Sequence, residues 1–488
     1  MNVATKSENF AADADDDLPL YEARRKIYPI AVRGTFRRIK WTLLLVTLGI
    51  YYLLPFVRWD RGPNAPSQAV LVDLVNGRFY FFFIEIWPQE IYYVTGLLIL
   101  AALVLFLMNA VAGRIWCGYL CPQTVWTDLF QVIERLVEGD PRQRREKLKN
   151  ASRVQRAFEA AAKHFLWLMV AWWTGGAWVL YFADAPTLTM QLLKGEGPMV
   201  AYLWIGILTF TTYVLAGHLR EQVCTYMCPW PRIQAALTDE YAFNVTYRYD
   251  RGEPRGSLKK TEALKLEGLP AGDCIDCRQC VAACPTGVDI RLGSQLACIQ
   301  CGLCIDACDT VMEKIGRPTR LIAYDTEMNV QRRIKGLPPV TKVFRARTVL
   351  YAALIAVVGG IMVAALAMRG SEGLSAIHDR NPLFVQLSDG SIRNAYTLRI
   401  VNKQPMPRRF ALSVEGVPEA QLEVVGGLSE VENGRPVVEV GPDQTYELRA
   451  LVSTHAKLPL GASLPVTFKI TDVAGGETSI APDHFKGP

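Results

Sequence analysis

Eight cysteines between residues 274 and 308 constrain this chain more than any other feature. They form two runs, Cys274, Cys277, Cys280, Cys284 and then Cys298, Cys301, Cys304, Cys308, each spaced C-x-x-C-x-x-C-x-x-x-C. Pro285 follows the first run, whereas the second ends Cys308-Asp309. This is the spacing of a two-cluster bacterial ferredoxin, in which three cysteines of one run wrap one cubane cluster and the fourth crosses to the other. Cys274, Cys277, Cys280 and Cys308 are thus expected to hold one [4Fe-4S] cluster, and Cys298, Cys301, Cys304 and Cys284 the second. Thiolates two residues apart can turn inward on one centre, and their softness selects iron–sulfur chemistry. Zinc, a disulfide framework or a set of buried thiols each explains two or four of these positions better than all eight.

The rest of the composition indicates a membrane protein. Half of the 488 residues are hydrophobic and a fifth are charged, with eleven tryptophans and nineteen tyrosines of the kind that gather at bilayer interfaces. The net charge of +6 is modest. Its basic residues flank apolar runs, which fits membrane orientation and sets nucleic-acid binding aside. No cysteine follows residue 308, so the set indicates metal in a reducing compartment rather than a secreted disulfide scaffold. Asp13, Asp15, Asp16 and Asp17 precede the first apolar run, which is therefore read as an anchor and not a cleaved signal.

Taken in order, the chain predicts five transmembrane helices. A cytoplasmic segment, 1–40, is expected to start acidic and mobile and to turn basic through Arg24, Arg25, Lys26, Arg33, Arg37, Arg38 and Lys40. Charge-poor runs then follow at Trp41–Val57, Ile91–Ala112, Phe165–Ala183, Met199–Gly217 and Thr348–Met368, each about long enough to cross a bilayer core. Residues 41–229 hold the first four spans. Residues 230–347 are a polar segment with the ferredoxin module at about 265–315, and 348–369 is the fifth span. Lys and Arg crowd the amino terminus, the 114–163 loop and the cluster segment, which the positive-inside rule makes cytoplasmic. Residues 58–90, with the aromatic run Phe79–Phe83 at the interface, and 184–198 then lie outside. An odd number of spans places 370–488 in the periplasm of a bacterial inner membrane. Alternating runs there, such as Tyr396, Leu398, Ile400 and Tyr446, Leu448, Ala450, Val452, separated by Asp-Gly, Gly-Gly and Gly-Pro, predict an immunoglobulin-like β-sandwich.

Four cysteines remain. Cys117 and Cys121 follow the second span, Cys224 and Cys228 follow the fourth, and each pair reads C-x-x-x-C-P. Residues four apart share a helix face, so two such pairs at equivalent span ends can gather into one thiolate set, a place for a soft metal or a redox dithiol. The alternative is that they are small packing residues. Met227, His164 and His218 fall near the same membrane face and are read first as packing or interfacial residues. There is no C-x-x-C-H haem attachment, no phosphate-binding loop and no dinucleotide-binding turn, so electrons are expected from an unidentified donor.

The order of these parts resembles one family. Trp116-Cys117-Gly118-Tyr119-Leu120-Cys121-Pro122, Cys224-Thr225-Tyr226-Met227-Cys228-Pro229, Tyr247-Arg248-Tyr249-Asp250-Arg251-Gly252, the ferredoxin runs and a β tail together are similar to the cytochrome c oxidase accessory proteins called CcoG, FixG or RdxA. The resemblance implies a cupric reductase that converts Cu(II) to Cu(I) during assembly of a cbb-type oxidase. Copper is then a candidate substrate or ligand at Cys117, Cys121, Cys224 and Cys228. It implies oxidase subunits or copper-delivery proteins as partners and leaves room for a homodimer. Two other classes stay open, an electron conduit from a quinol pool and a non-catalytic assembly scaffold.

Overall fold

The computed structural model describes residues 26–487 apart from 63–64, 405, 426–429, 433 and 457. The acidic start, with Asp13 and Asp15 to Asp17, and Arg24 and Arg25 of the basic segment lie outside the described residues. The chain divides into two compact units, one of residues 1–52, 101–178 and 198–353, the other of 53–100, 179–197 and 354–488.

The helices that matter are α1 (Thr35–Leu53), α2 (Tyr92–Ala112), α3 (Ile115–Tyr119), α4 (Pro122–Glu138), α5 (Arg153–Val179), α6 (Met199–Thr212), α7 (Leu303–Lys314) and α8 (Ala346–Ala367). Among the described residues, four helical stretches are long and apolar enough to cross a membrane: Thr35–Phe56, Pro88–Ala112, Met199–Leu219 and Ala346–Ala367. They coincide with four of the five expected spans. The remaining one, expected at Phe165–Ala183, is helical only to Val179. It belongs to a longer helix that opens with Arg153, Arg156, Glu159 and Lys163, and its apolar half is diluted by Trp167, Trp172, Trp173, Thr174, Gly175 and Gly176.

In the first unit the amphipathic α4 organises the packing, because its apolar face is wide enough to meet several neighbours. Val125 packs with Leu44 and Leu48 of α1, while Phe130 stacks on Trp167 of α5 beside Ala171 and Ala216. The polar residues buried here are paired. Asp128 of α4 accepts from the Arg37 guanidinium at 2.9 Å and lies 3.8 Å from the Lys40 ammonium. Burial alone would raise the Asp128 pKa, but Lys40 and Arg37 outweigh it and hold the carboxyl below its usual range. Glu134 likewise binds Arg220 at 2.7 Å and Arg144 at 3.1 Å.

The ferredoxin module packs on the start of α1. Asp306 of α7 accepts the backbone N–H groups of Phe36 at 3.2 Å and Arg37 at 2.8 Å, satisfying donors that the first turn of a helix leaves free. Gly34 is required at this junction, since a Cβ there would stand 2.2 Å from the Asp306 carboxyl carbon. The module is wider than residues 265–315: antiparallel strands Asn244–Tyr247 and Ile322–Asp325 close it from both sides. Val245, Tyr247, Leu321 and Ile322 share one buried cluster with Ile305, Met312, Cys274, Cys280 and Cys308.

In the second unit, residues 372–486 form two antiparallel sheets. One runs Gln421–Val425, Gln444–Thr454, Ile392–Asn402, Glu372–His378, with Val385–Gln386 also paired to the 392–402 strand; the other runs Glu430–Glu432, Arg435–Val440, Arg408–Glu415, Ser463–Asp472, Thr478–Lys486. The two alternating runs seen in the sequence are partners, with Tyr446 opposite Ile400, Leu448 opposite Leu398 and Ala450 opposite Tyr396. Their inward side chains meet Phe410, Phe468, Ile470 and Phe485 in the core. Residues 58–90 differ from the expectation of a plain connection: Val70–Asp73, Arg78–Phe81 and Ile84–Ile86 form a three-stranded sheet. The run Phe79–Phe83 is its central strand and turn, and Tyr80 within it is buried.

Replacing Asp128 with Ala leaves Arg37 and Lys40 buried without their carboxylate, and should cost about 3–5 kcal/mol. Denaturant unfolding in detergent measures this, and an unchanged midpoint would contradict the assigned role of the pair.

Candidate functional site

Burial and mutual proximity sort the eight ferredoxin cysteines into two groups. Burial first, then the charges of Cys280, Asp309, Cys277 and Cys274, push Cys308 up to about 12. Cys298 is pushed up to about 12 by burial, with Cys301 and Cys284 as its thiol neighbours. Cys304 is raised by burial and then by Cys301, Cys298, Cys284 and, last, Cys280 of the first run. Cys308 therefore lies with the first run, and Cys284 with the second. That is the exchange of fourth cysteines which the spacing calls for. Thiols so placed stay protonated alone and ionise when a metal displaces the proton, which makes the donor set suited to iron–sulfur centres. Cys277 is the exposed member of the set.

The other four cysteines also meet, though not as two helical pairs. Cys117 sits in α3, but Cys121 is extended at φ −61°, ψ 126°, just before α4. Cys224 lies in a π-helical turn, Val223–Met227, and Cys228 is extended at φ −82°, ψ 122°. The proline after each pair pushes the cysteine before it out of the helical region and ends the turn, and the N–H groups of Cys121 and Cys228 bond five residues back, to Trp116 and Val223, instead of four. The expected i, i+4 face is thus broken at both places. Each thiol still feels the others: burial and then the charges of Cys121 and Cys224 raise Cys117 to about 12, and burial followed by Cys121 and Cys228 raises Cys224 to about 12. The Cys117 thiol donates to Gln234 Oε1 at 3.3 Å. Among the described residues, no group of three or more His, Cys, Asp or Glu converges tightly enough for a single metal ion, and this holds for the ferredoxin cysteines and for these four alike.

The two thiol sets touch through backbone. Cys117 packs with Ile299, Cys301 and Leu303 in one buried cluster. Gly118 makes this approach possible, since a Cβ there would lie 2.8 Å from the Ile299 carbonyl oxygen and 3.0 Å from Cys301 Cα. Tyr119 Oη donates to the Cys301 carbonyl at 3.0 Å. Arg114 donates its backbone N–H to Gln300 Oε1 at 2.8 Å, and its guanidinium donates to the carbonyls of Leu296, Cys298 and Pro231. Helix α3 is in this way fastened to the ligand loop 296–301.

His164 and His218 form a group of their own. Their rings are 5.8 Å apart and nearly parallel, against Trp167, and the Tyr213 hydroxyl lies 2.9 Å from His164 Nδ1. Met227 is exposed. Sequence reasoning quoted Tyr119 only as part of a motif and gave no role at the site to Arg114, Gln234 or Gln300. Only Arg114 carried a signal, as a charge directly after the second apolar run, and it was read there as a membrane flank.

Two sets of largely buried or half-buried thiols, apolar helices long enough to cross a membrane and a C-terminal sandwich define a class, a ferredoxin-like iron–sulfur protein with membrane helices. Family profiles agree part by part. Residues 94–138 match one described as "4Fe-4S binding domain", residues 219–327 one described as "4Fe-4S dicluster domain", and residues 362–488 the "IG-like fold at C-terminal of FixG". The chain belongs to the FixG/RdxA family. It is 52% identical over 460 residues to "Protein RdxA" of Cereibacter sphaeroides, covering 93% of this chain and 94% of that protein. It is 48% identical over 461 residues to "Nitrogen fixation protein FixG" of Rhizobium meliloti, covering 89% and 87%. "Protein RdxB" of Cereibacter sphaeroides is 48% identical over 463 residues, covering 94% and 95%.

Gly118→Ala forces backbone apart where α3 meets the ligand loop, and is expected to cost about 1–3 kcal/mol and to lower the iron retained on purification. Gly49→Ala, whose Cβ would meet nothing within 4 Å, serves as the control. Equal iron content in the two variants would contradict the contact's importance.

Proposed function

We propose that the protein is a membrane-bound electron-transfer protein that reduces Cu(II) to Cu(I) during assembly of a cbb-type cytochrome c oxidase. Cys274, Cys277, Cys280 and Cys308 hold one [4Fe-4S] cluster and Cys284, Cys298, Cys301 and Cys304 the other. When bound, each supplies one electron at a time, its own oxidation balancing the reduction of one Cu(II). Cys117, Cys121, Cys224 and Cys228 receive copper, because thiolates select the Cu(I) product. The observation that carries this reading is the seat of α3 on the ligand loop, which sets Cys117 beside Cys301. Arg114 contributes positive charge to both sides, lowering the Cys117 and Cys298 thiols against the rise that burial causes. Gln234 holds the Cys117 S–H until metal displaces its proton.

A second reading has support of its own. Residues 94–138, with Cys117 and Cys121, match a profile described as a 4Fe-4S binding domain, so the four thiols could hold a further iron–sulfur centre and act as a conduit to another acceptor. Anaerobic purification separates the two. The copper reading expects about eight iron and eight acid-labile sulfide per chain, and a Cys117, Cys121, Cys224, Cys228→Ser variant with unchanged iron but weakened Cu(I) binding. About twelve iron, falling to eight in that variant, would replace copper with iron at this site.

The membrane arrangement is part of the same proposal. Helix α5 is read as the remaining span, since Phe165, Met169, Trp172 and Trp173 face outward as lipid-facing residues would. Five crossings put the clusters in the cytoplasm and residues 370–488 in the periplasm, where the sandwich is available to oxidase subunits or copper-delivery proteins. A periplasm-active reporter fused after Gly370 should be active, and one after Arg320 silent. The reverse pattern would overturn the orientation.

A further inference from the structure

The ferredoxin module and α1 enclose a cavity that the electron-transfer reading does not use. Its volume is about 730 Å³, and it lies among the backbone of residues 29–34, the first turns of α1, one side of α4, and Ala283, Pro285 and Leu303 of the module. Ala283 and Pro285 flank Cys284, so one wall of the cavity is the loop that carries a cluster ligand. Residues 29–34 are fixed there by the Ile30 N–H, which donates to the Ala282 carbonyl at 3.0 Å.

The charges on its walls do not cancel. Asp128 is committed to Arg37 and Lys40. Arg33, Arg38 and Arg135 also line the cavity, and among the described residues none of the three has an ion pair, while Asp140 is the one further carboxylate on the wall. Arg135 is half-buried, and burial, with Arg37 next to it, lowers its pKa by more than Asp128, Asp140 and Glu134 raise it. A guanidinium kept from water beside another one is stabilised by an anion, and a phosphate oxygen pair matches its fork. Gln131 apart, the remaining side chains of the lining are apolar, with Trp41 and the strongly exposed Leu136 at the same place. This cavity opens where α1 starts its apolar run, the depth at which lipid headgroups lie.

We infer that the cavity is a receptor for a phosphate group, and that an anionic phospholipid headgroup at the entry of the first span supplies it. Arg33, Arg38 and Arg135 hold the phosphate, and Trp41 and Leu136 lie against the glycerol and upper acyl chain. A bound headgroup then rests against the loop of Cys284, so that an anionic membrane secures the seat of the ferredoxin module. The inference stands on α1 as a membrane helix and is independent of what Cys117, Cys121, Cys224 and Cys228 bind.

The test is native mass spectrometry of the full chain released from nanodiscs of phosphatidylglycerol or phosphatidylcholine, alongside Arg38→Ala and an Arg38→Ala, Arg135→Ala double variant. Arg38 is exposed, so its replacement leaves the fold intact, and iron content checks this in both variants. Phosphatidylglycerol should be retained over phosphatidylcholine, and the double variant should lose about tenfold or more of that preference. Displacement of the lipid by millimolar inorganic phosphate, with the same dependence on the arginines, would support the phosphate chemistry and show that a soluble phosphate can also supply it. Equal retention of both lipids by wild type and double variant, with no phosphate binding, would overturn the proposal.

Discussion

The approach of α3 to the 296–301 loop, backbone against backbone at Gly118, is the constraint on which the rest of the first unit depends. Two thiol sets far apart in sequence become neighbours only if a membrane-helix terminus can lie on a cluster-ligand loop with no side chain between them. Gly118 provides the space, Arg114 ties the two backbones with its guanidinium, and Tyr119 adds a hydrogen bond to Cys301. On the far side of the module, Asp306 accepts the first-turn N–H groups of α1, so the module is held to a membrane helix from a second direction as well.

Burial of the thiols has a chemical consequence. Cys117, Cys224, Cys298 and Cys308 are all pushed up to about 12, and low exposure is the first cause each time. Such groups are poor nucleophiles at neutral pH and resist the oxidation that attacks exposed thiolates. They become ligands when a soft cation takes the proton's place. The same burial that protects the site when empty therefore makes its occupation release protons, and tighten as pH rises.

How much of this could be read from the sequence depends on whether the signal was local. The ferredoxin runs were legible because cluster ligation is encoded in spacing, and residues 219–327 match a 4Fe-4S dicluster domain. The sandwich was legible because burial on one face imposes alternation, and the runs at Tyr396 and Tyr446 turn out to be hydrogen-bonded partners. Helical reasoning failed at the C-x-x-x-C-P motifs, where Pro122 and Pro229 end each helical turn and the N–H groups of Cys121 and Cys228 bond five residues back instead of four. The small sheet at 70–86 was hidden by its aromatic content, which a membrane protein makes look interfacial. Gln234 and Gln300 were out of reach altogether, since each acts on a partner remote in sequence.

The central claim is that copper accepts its electron at the four C-x-x-x-C-P thiols, and rapid mixing tests it most directly. Protein with its clusters reduced by dithionite and freed of excess reductant is mixed with Cu(II), and the recovery of cluster absorbance is followed in the wild type and in the Cys117, Cys121, Cys224, Cys228→Ser variant. The account predicts fast, copper-dependent oxidation in the wild type and a marked slowing in the variant at equal iron content. Equal rates in the two proteins would contradict it.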